Sequence, residues 1–455
     1  MLHSVIVKYD DLIMTIWSPR LSDSDAPIYG RIADALERDV RSGMLISGSQ
    51  LPTHRELART LGITPVTVTR AYAEAARRGI VESSTGRGTF VRAVRRDVSV
   101  AEDLDLATNT VNIPIPPPTP AVLQRAGAML VQSLYATGAG TERHRAAGAA
   151  WVGRRTDPAR VVVTAGTQHA LFLALAATTK PGDTLLTEAL TYHGAKAAAA
   201  LLHLRLEPLP LDRHGILPDA FERAARGRTA KVLYTIPTLH NPTATILPEK
   251  RRRELAAVAE RHGLTIIEDD VNGFLLDKTP PPIAAFAPER TIFITGLGKA
   301  IAAGMRVGYL VAPEWLLPRV HHALAANVLF SSPVVAELAS TWIEDGTAAR
   351  IAEQKRAEIA LRSRIARRIL PDASGDPRAL HLWLELPKRW TADAFTEEAR
   401  RRRVRIASAS SFAVTPEIPR AVRISIGSPA SAAELETALH VIAGIGEARA
   451  QDPVV

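Results

Sequence analysis

Apolar residues in the first part of the chain have the spacing of an amphipathic helix. They recur at every fourth position over residues 28–42, as Ile28, Ile32, Leu36 and Val40. This spacing places them on one stripe of a helix. Gly43 follows, and glycine is common just past the end of a helix. The pattern predicts a first helix with one apolar face.

Capping residues predict two shorter helices after it. Thr53 begins the second helix, and Glu56 stands three residues on, where it completes a capping box. Thr64 begins the third helix, and Pro65 takes its first position, where a missing N–H leaves no bond unmade. Because a tight turn at Gly62 separates the two helices, this stretch has the outline of a helix-turn-helix.

The segment that follows predicts a wing, and its surroundings are basic. Residues 80–91 have the pattern of two short strands around a glycine turn. Residues 27–96 contain twelve arginines, no lysine and six acidic residues, a local net charge of +6 within a total of +9. Such a domain suits a polyanion, although a basic surface without a partner explains the charge about equally well.

The remainder of the chain predicts an α/β domain. Residues 93–112 are polar and without periodicity, as in a linker, and the proline-rich residues 113–120 are expected to enter the next domain in extended form. Short apolar strands then alternate with helical patterns, at 161–164, 184–187, 231–234, 265–268, 291–294 and 307–311. This order predicts a mostly parallel sheet that binds ligands at the carboxyl ends of its strands. Residues 380–386 and 421–426 predict strands of a small C-terminal subdomain.

Composition excludes several classes of protein. The chain has no cysteine, which rules out disulfides, thiolate zinc sites and cysteine nucleophiles, and we predict no metal site. No apolar run approaches the roughly 18 to 20 residues of a membrane span. Charges at Lys8, Asp10 and Asp11 break the N-terminal apolar stretch, unlike a signal peptide. We therefore expect a cytoplasmic protein without membrane contact. Met14 is a candidate natural start, which the intact mass of the native protein would decide.

Residues with suitable chemistry follow the predicted strands. Gly166, Thr167 and Gln168 lie where a strand meets a helix, and the free N–H groups of such a turn suit a phosphate. The other candidates are Tyr192 for stacking on a flat ring, Asn241 as a donor to a phenolate oxygen, Asp269 for a pyridinium N–H, Lys299 for a Schiff base and Arg306 for a phosphate. Taken singly, each has an ordinary explanation as a turn, a core tyrosine, a strand-end acid or a surface charge.

The first domain resembles the GntR-type winged helix-turn-helix over residues 27–92. The matching residues are Ile28-Tyr29, Gly48, Leu51-Pro52, Arg55 to Ala58, Leu61-Gly62, Thr67-Val68, Arg70-Ala71-Tyr72, Gly79 and Gly86 to Phe90. The resemblance implies that double-stranded promoter DNA is faced by Arg55, Thr64, Thr67, Thr69 and Arg70, and by Gly86 and Arg87 at the tip of the wing.

The order of the candidate residues resembles the fold-type I aminotransferases, which bind pyridoxal 5′-phosphate (PLP), over residues 113–450. By this resemblance the phosphate is held by Gly166, Thr167, Gln168 and Arg306. The ring would be held by Tyr192, Asn241 and Asp269, with Lys299 as the Schiff-base lysine. Arg423 matches the family's arginine for a substrate carboxylate.

The chain departs from both families at identifiable positions. Many GntR-type proteins carry arginine where this chain has Pro65. Related aminotransferases usually carry tyrosine where it has Asn272, and hydroxyl residues just before the lysine, where it has Gly296 and Gly298. We expect these changes to alter the DNA preference and to weaken or retune cofactor binding.

The combined layout resembles the MocR family of bacterial regulators. The resemblance implies a DNA-binding transcriptional regulator that uses its PLP-binding domain as the effector sensor, either for PLP itself or for an amino compound condensed on it. It also implies a homodimer, in which the DNA-binding domain of one chain packs on the large domain of the other. Two alternatives stay open: an active aminotransferase with a DNA-binding appendage, and a regulator whose large domain serves only for dimerisation.

Overall fold

The computed structural model describes two compact units, residues 1–101 and 102–455. Within them the described residues are 17–19, 21, 26–41, 45, 49–84, 88–91, 103–131, 138–153, 156–227 and 230–447. The predicted wing tip with Gly86 and Arg87, the candidate start at Met14, and residues 93–102 of the predicted linker lie outside the described residues. The boundaries at residues 27–92, 93–112 and 113–450 stay predictions.

The first unit is a helix-turn-helix followed by a strand pair. Its elements are α1 (Ile28–Arg41), α2 (His54–Leu61), α3 (Pro65–Arg77), β1 (Val81–Ser84) and β2 (Gly88–Val91). The two strands pair antiparallel. The core lies between the three helices and contains Ile32, Leu36, Leu57 and Val68, each no more than 1% exposed. The predicted stripe is wrong at its start, because Ile28, in the first turn of α1, is 43% exposed.

Both predicted caps are present. Thr53 accepts a hydrogen bond from the backbone N–H of Glu56, and the Glu56 carboxylate accepts one from the N–H of Thr53 at 2.8 Å. Gly62 ends α2 in the left-handed conformation, with φ at 66°. Thr64 caps α3 by accepting from the N–H of Thr67 at 3.3 Å. The relative orientation of α2 and α3 therefore depends on signals within a few residues of the turn.

The capping box gives a stability prediction. Thr53→Ala is expected to lower the free energy of unfolding of the first unit by about 1 kcal/mol, because two helix N-terminal groups lose their partners. Hydrogen exchange of the amides of α2, measured by mass spectrometry in the full chain, reports this change. Thr60→Ala is the control, since it lies in the same helix and leaves the cap intact. Equal effects of the two variants would contradict the assignment.

The second unit is an α/β domain with a small C-terminal part. Its helices are α4 (Pro120–Val131), α5 (Glu142–Val152), α6 (Thr167–Thr178), α7 (His193–Leu201), α8 (Pro218–Ala225), α9 (Glu249–His262), α10 (Leu297–Ala300), α11 (Leu317–Asn327), α12 (Pro333–Glu344), α13 (Thr347–Ile369), α14 (Ala392–Arg401) and α15 (Ala432–Glu447). Its strands are β3 (Leu104–Asp105), β4 (Val161–Thr164), β5 (Thr184–Glu188), β6 (Arg205–Leu209), β7 (Leu211–Asp212), β8 (Gly215–Ile216), β9 (Ala230–Thr235), β10 (Thr265–Asp269), β11 (Thr291–Gly296), β12 (Gly308–Val311), β13 (His381–Glu385), β14 (Val404–Arg405), β15 (Ala407–Ser408) and β16 (Ala421–Ser425).

The central sheet confirms the predicted fold class. It has seven strands in the order β4-β12-β11-β10-β9-β5-β6. Only β12 runs antiparallel to its neighbours, and the other pairs are parallel. Strands β5, β10 and β11 are buried along their whole length, as expected for a sheet covered on both faces. Their carboxyl ends meet at one edge of the sheet, which is where such folds bind ligands.

The C-terminal part packs around a smaller sheet. Strands β13, β16 and β15 pair antiparallel, and α13, α14 and α15 contribute to the same apolar core. Strand β3, within the predicted linker, pairs with β14 of this part. None of the described helices combines the length and the apolar character that crossing a membrane requires.

Candidate functional site

A turn between β4 and α6 leads into a helix N-terminus that has no side-chain cap. Gly166 caps α6 with φ at 89°, and no side chain occupies the cap. A Cβ added at this glycine would lie 3.0 Å from Nη2 of Arg306. Gly166 therefore lets the backbone approach the Arg306 guanidinium closely, at a helix N-terminus that favours negative charge.

Gln168 and Tyr192 lie on either side of a second glycine. Gln168 Nε2 donates to the carbonyl of Gly194 at 3.0 Å, and its Oε1 is buried without a partner among the described residues. A Cβ at Gly194 would collide with both Gln168 and the Tyr192 ring. Burial, followed by the charge of Asp269, raises the pKa of Tyr192. The phenol therefore stays protonated above its ordinary range.

Asp269, at the carboxyl end of β10, is a buried carboxylate held by defined donors. Tyr234, on the neighbouring strand β9, donates its hydroxyl to Asp269 Oδ2 at 2.9 Å, and the N–H of Val271 donates to Oδ1 at 3.2 Å. Burial raises the pKa of Asp269, while the Tyr234 hydrogen bond and the charge of Lys299 act in the opposite direction. A cationic N–H placed opposite this carboxylate would favour its charged form.

Lys299 is positioned by a short helix at the end of β11. Its backbone carbonyl and that of Ile301 accept hydrogen bonds from Nζ of Lys355, at 2.8 and 2.7 Å. The Lys299 side chain is partly buried. Burial lowers its pKa to about 8; the carboxylate of Asp269 partly offsets this effect, and the charge of Arg423 adds to it. Lys299 therefore has a larger neutral-amine fraction near pH 8 than an exposed lysine has.

Arg423, on β16, lies across from the Asn241 loop. Its Nη1 donates to Asn241 Oδ1 at 2.7 Å, and its Nη2 donates to the carbonyl of Ala107. The guanidinium also lies 5.0 Å from the centre of the Phe412 ring. Its Nε is buried without a partner among the described residues. The arginine is thus held rigidly with one donor left over, as a carboxylate-binding arginine requires.

The structure brings these predicted residues into one site. The charges of Asp269, Arg306 and Arg423 all act on Tyr192, and those of Asp269 and Arg423 act on Lys299. Asn241 lies in the same site because it accepts a hydrogen bond from Arg423, and Gly166 because its backbone lies close to the Arg306 guanidinium. Anion donors, a flat ring, a buried carboxylate, an amine and a second cation therefore meet at one edge of the sheet.

Family models match both parts of the chain. The model "Aminotransferase class I and II" matches residues 101–442, three quarters of the length. The chain belongs to the aminotransferase class I and II family. The model "Bacterial regulatory proteins, gntR family" matches residues 28–91. Together they confirm the predicted MocR-type architecture.

Similar full-length proteins share this layout. The HTH-type transcriptional regulator YdeF of Bacillus subtilis is 29% identical, over 94% of this chain and 96% of its own length. The HTH-type transcriptional regulator YjiR of Escherichia coli is 26% identical, over 92% of this chain and 98% of its own length. The prediction of a transcriptional regulator with an aminotransferase-like domain is thereby confirmed.

Solved aminotransferases share the fold of the second unit. An archaeal alanine:glyoxylate aminotransferase superposes with a TM-score of 0.68 at 22% identity, covering 84% of this chain and 95% of its own. The α-aminoadipate aminotransferase LysN of Thermus thermophilus, complexed with N-(5′-phosphopyridoxyl)-L-leucine, gives 0.67 at 23% identity, covering 82% and 97%. The aminotransferase class I and II family is PLP-dependent, which confirms the cofactor prediction.

The geometry of the aminotransferase domain fits PLP. The N-terminus of α6, which no side chain caps, and the adjoining Arg306 guanidinium suit a phosphate. The buried Asp269 suits a ring N–H, and Lys299 supplies an amine of lowered pKa. The individual roles of these residues remain predictions.

The two glycines before Lys299 differ in what they tolerate. A Cβ at Gly296 would lie 2.8 Å from the carbonyl of Val307 and 3.0 Å from Cα of Gly308. A hydroxyl side chain at this position would require the backbone to move. Among the described residues, and apart from its own chain neighbours and helix backbone, nothing lies within 4 Å of a Cβ at Gly298. The close packing of β11 on β12 therefore leaves no room for a hydroxyl side chain at Gly296.

The phosphate turn gives a binding prediction. Gly166→Ala is expected to weaken PLP binding about tenfold, because it strains a positive φ and displaces Arg306. Titration of the apoprotein with PLP, followed by absorbance, measures this. Gly182→Ala is the matched control, since Gly182 has φ at 86° and open space around its Cβ. An equal loss in both variants would place the effect in backbone strain alone.

Of the predicted DNA-facing residues that the structure describes, Arg55 lies on α2, Thr64 caps α3, and the other three lie in the first half of α3. Arg55, Thr64, Thr69 and Arg70 are exposed and Thr67 is half-buried. Thr64 and Thr67 hydroxyls bond each other at 2.9 Å, and Thr69 donates to the carbonyl of Pro65 at 3.0 Å. The hydroxyls are thus partly used within the protein, which leaves the two arginines as the extended donors of this surface. Their contacts with DNA remain predictions.

Three neighbours of the site were not found from the sequence. Tyr234 ends a predicted strand beside the strand of Asp269, so the strand order was the signal that would have revealed it. Lys355 lies in the long helix α13 and carries no local signal. Glu188, at the end of β5, is fully buried and accepts from the Thr235 hydroxyl, and burial raises its pKa to about 7.

Proposed function

We propose that this regulator senses an amino compound at the PLP site and responds by changing its affinity for promoter DNA. The observation that carries the proposal is the meeting of Lys299, Asp269 and Arg423 in one site of a chain that also has a gntR-type unit. The chain thus retains an amine, a carboxylate for the cofactor ring and an arginine for the carboxylate of a ligand. A domain used only for dimerisation requires none of them.

The roles proposed for the chain's own residues rest on the resemblance to the aminotransferases. Gly166, Thr167, Gln168 and Arg306 would hold the phosphate, and Tyr192, Asn241 and Asp269 would hold the ring. When bound, PLP supplies an aldehyde that condenses with primary amines and a ring that withdraws electrons. Lys299 would present its amine to that aldehyde, and the negative charge of Asp269 would retain a proton on the ring nitrogen.

The effector class follows from the two ends of the site. Lys299 would supply the amine that an incoming primary amine replaces, and Nε of Arg423 is a buried donor without a partner among the described residues. Since Arg423 is only 3% exposed, a carboxylate bound there gains a strong charge-assisted hydrogen bond. We therefore propose an α-amino acid or a similar amino carboxylate.

The pKa of Lys299 predicts how PLP capture depends on pH. Only the neutral amine attacks an aldehyde, and burial lowers the pKa of this lysine to about 8. The capture rate should therefore level off above pH 8 and fall below it, on the order of tenfold per pH unit. Stopped-flow absorbance of the apoprotein mixed with PLP checks this, with free lysine as the reference. A profile that rises up to pH 10, as for free lysine, would argue against a buried amine.

Absorption spectra test the proposal directly. The purified protein is expected to show a visible PLP band that changes on titration with a subset of an amino-acid panel. Fluorescence anisotropy of promoter DNA, with the same panel, should change with the same compounds. A protein that stays colourless with added PLP would favour a dimerisation scaffold instead.

An active aminotransferase is the second candidate, because Lys299, Asp269 and Arg423 are all retained. Conversion of bound PLP to its amine form by an amino acid, followed by release of a keto acid, distinguishes it. Keto-acid release at catalytic rates, with no effect on DNA binding, would favour the enzyme over the sensor.

Assembly and location complete the proposal. We propose a homodimer, since two DNA-binding units on a twofold axis match repeated half-sites. Light scattering at micromolar concentration distinguishes a dimer from a monomer of 49.1 kDa. A protein that reads promoter DNA works where the DNA is, so the predicted cytoplasmic location belongs to the same proposal.

A further inference from the structure

Asn272 contacts the amine of Lys299 where related aminotransferases usually carry a tyrosine. Nζ of Lys299 donates to Asn272 Oδ1 at 3.1 Å. Nδ2 of Asn272 donates to the backbone carbonyl of Leu239 at 2.8 Å. Asn272 is 0% exposed, so both bonds are made to a fully buried side chain.

The second hydrogen bond fixes the orientation of the amide. A carbonyl oxygen accepts only from the NH₂ group, and an ammonium or amine donates well only to the oxygen. With Leu239 on one side and Lys299 on the other, a flipped amide would lose both bonds. Asn272 therefore presents an acceptor, and not a donor, to Lys299.

We infer that Asn272 is a positioning residue that holds Lys299 while its amine is not bonded to the cofactor. This inference rests on the proposed PLP site and adds a residue to it. A tyrosine at this position offers a donor to the cofactor ring, whereas the fixed Oδ1 of Asn272 serves the lysine. The chain thus stabilises the state in which an amino compound has released Lys299.

Leu239, whose carbonyl accepts from Asn272, is also close in the sequence to a residue that contacts Arg423. Leu239 is two residues from Asn241, whose Oδ1 accepts from Arg423 at 2.7 Å. The short segment from Leu239 to Asn241 therefore contacts both Asn272, which accepts from the Lys299 amine, and Arg423, the proposed carboxylate-binding residue.

Several other titratable or charged groups face Lys299, and all of them are present in every variant at position 272. They are Asp269 on β10, Arg423 on β16, His193 on α7, His381 on β13 and Lys355 on α13. A change in the titration of Lys299 between variants at position 272 therefore reports on the Asn272 contact.

The test uses the full-length apoprotein, without PLP or DNA. Competitive acetylation over a range of pH, read by peptide mass spectrometry, gives the pKa of Lys299. Asn272→Leu fills a similar volume without an acceptor, and should lower this pKa by about one pH unit. Asn272→Asp keeps an acceptor and adds a charge, and should raise it by a similar amount. Asn327→Leu, on α11, is the control for an exposed asparagine.

The outcomes separate this inference from the proposed function. Opposite shifts in the two variants support a positioning role. An unchanged pKa of Lys299 in both variants, with folding confirmed by circular dichroism, would overturn it and leave Asn272 as packing alone. If Asn272→Leu fails to fold, Asn272→Ala decides, because it also removes the acceptor and should lower the pKa of Lys299. A chain that never binds PLP fails the proposed function but still gives this measurement.

Discussion

Lys299→Ala is expected to abolish the visible PLP band and, with it, every effect of amino compounds on DNA binding. The Lys299 amine is the only group of this site that is proposed to form a covalent bond with the cofactor. It lies among Asp269, Arg423 and Asn272. PLP retained only by its phosphate contacts would keep the spectrum of the free aldehyde. Absorbance and DNA anisotropy on the same sample measure the two losses together.

The matched control for this variant is Lys250→Ala. Its side chain is 88% exposed, on α9, and its ion pair with Glu254 at 3.9 Å is worth little. It should keep both the band and the response. If Lys299→Ala loses the band but keeps the full effect of amino compounds, the sensor lies elsewhere in the chain.

Arg70→Ala and Arg55→Ala are expected to weaken promoter binding by roughly tenfold each without unfolding the first unit. Both side chains are exposed on the surface formed by α2 and the start of α3. An arginine paired with guanine contributes on the order of 1–3 kcal/mol, and a phosphate contact changes the salt dependence by about one charge. Anisotropy at several salt concentrations distinguishes the two roles.

Arg77→Ala is the control on the same helix. Arg77 lies in the last turn of α3 and is paired with Glu74 at 2.7 Å, whereas base contacts concentrate at the start of a recognition helix. A loss as large as that of Arg70→Ala would mean that general charge, and not the predicted surface, holds the DNA.

Local signals predicted the first unit well. The capping box of Thr53 and Glu56, the left-handed Gly62 and the cap at Thr64 all act within a few residues, so the sequence contains their full physical cause. The burial of Ile28 was predicted wrongly. Helical spacing shows on which face of the helix a residue lies, but it does not show where along that face the apolar core ends.

Long-range contacts in the aminotransferase domain were harder to predict. The strands and the residues at their ends followed from the alternating pattern. The bond from Tyr234 to Asp269 depends on the register between β9 and β10. The departure at Asn272 was visible as a lost tyrosine, but its use as an acceptor for Lys299 depends on the Leu239 carbonyl, 33 positions away.

One titration tests the central claim most directly: the affinity of the full-length protein for its promoter, measured without PLP, with PLP, and with PLP plus each amino carboxylate. Coupling free energies between sites are typically 1–3 kcal/mol, so we expect at least one compound to change the affinity of the PLP-loaded protein by about fivefold or more. An affinity that is the same in all three states across the panel would contradict the sensor.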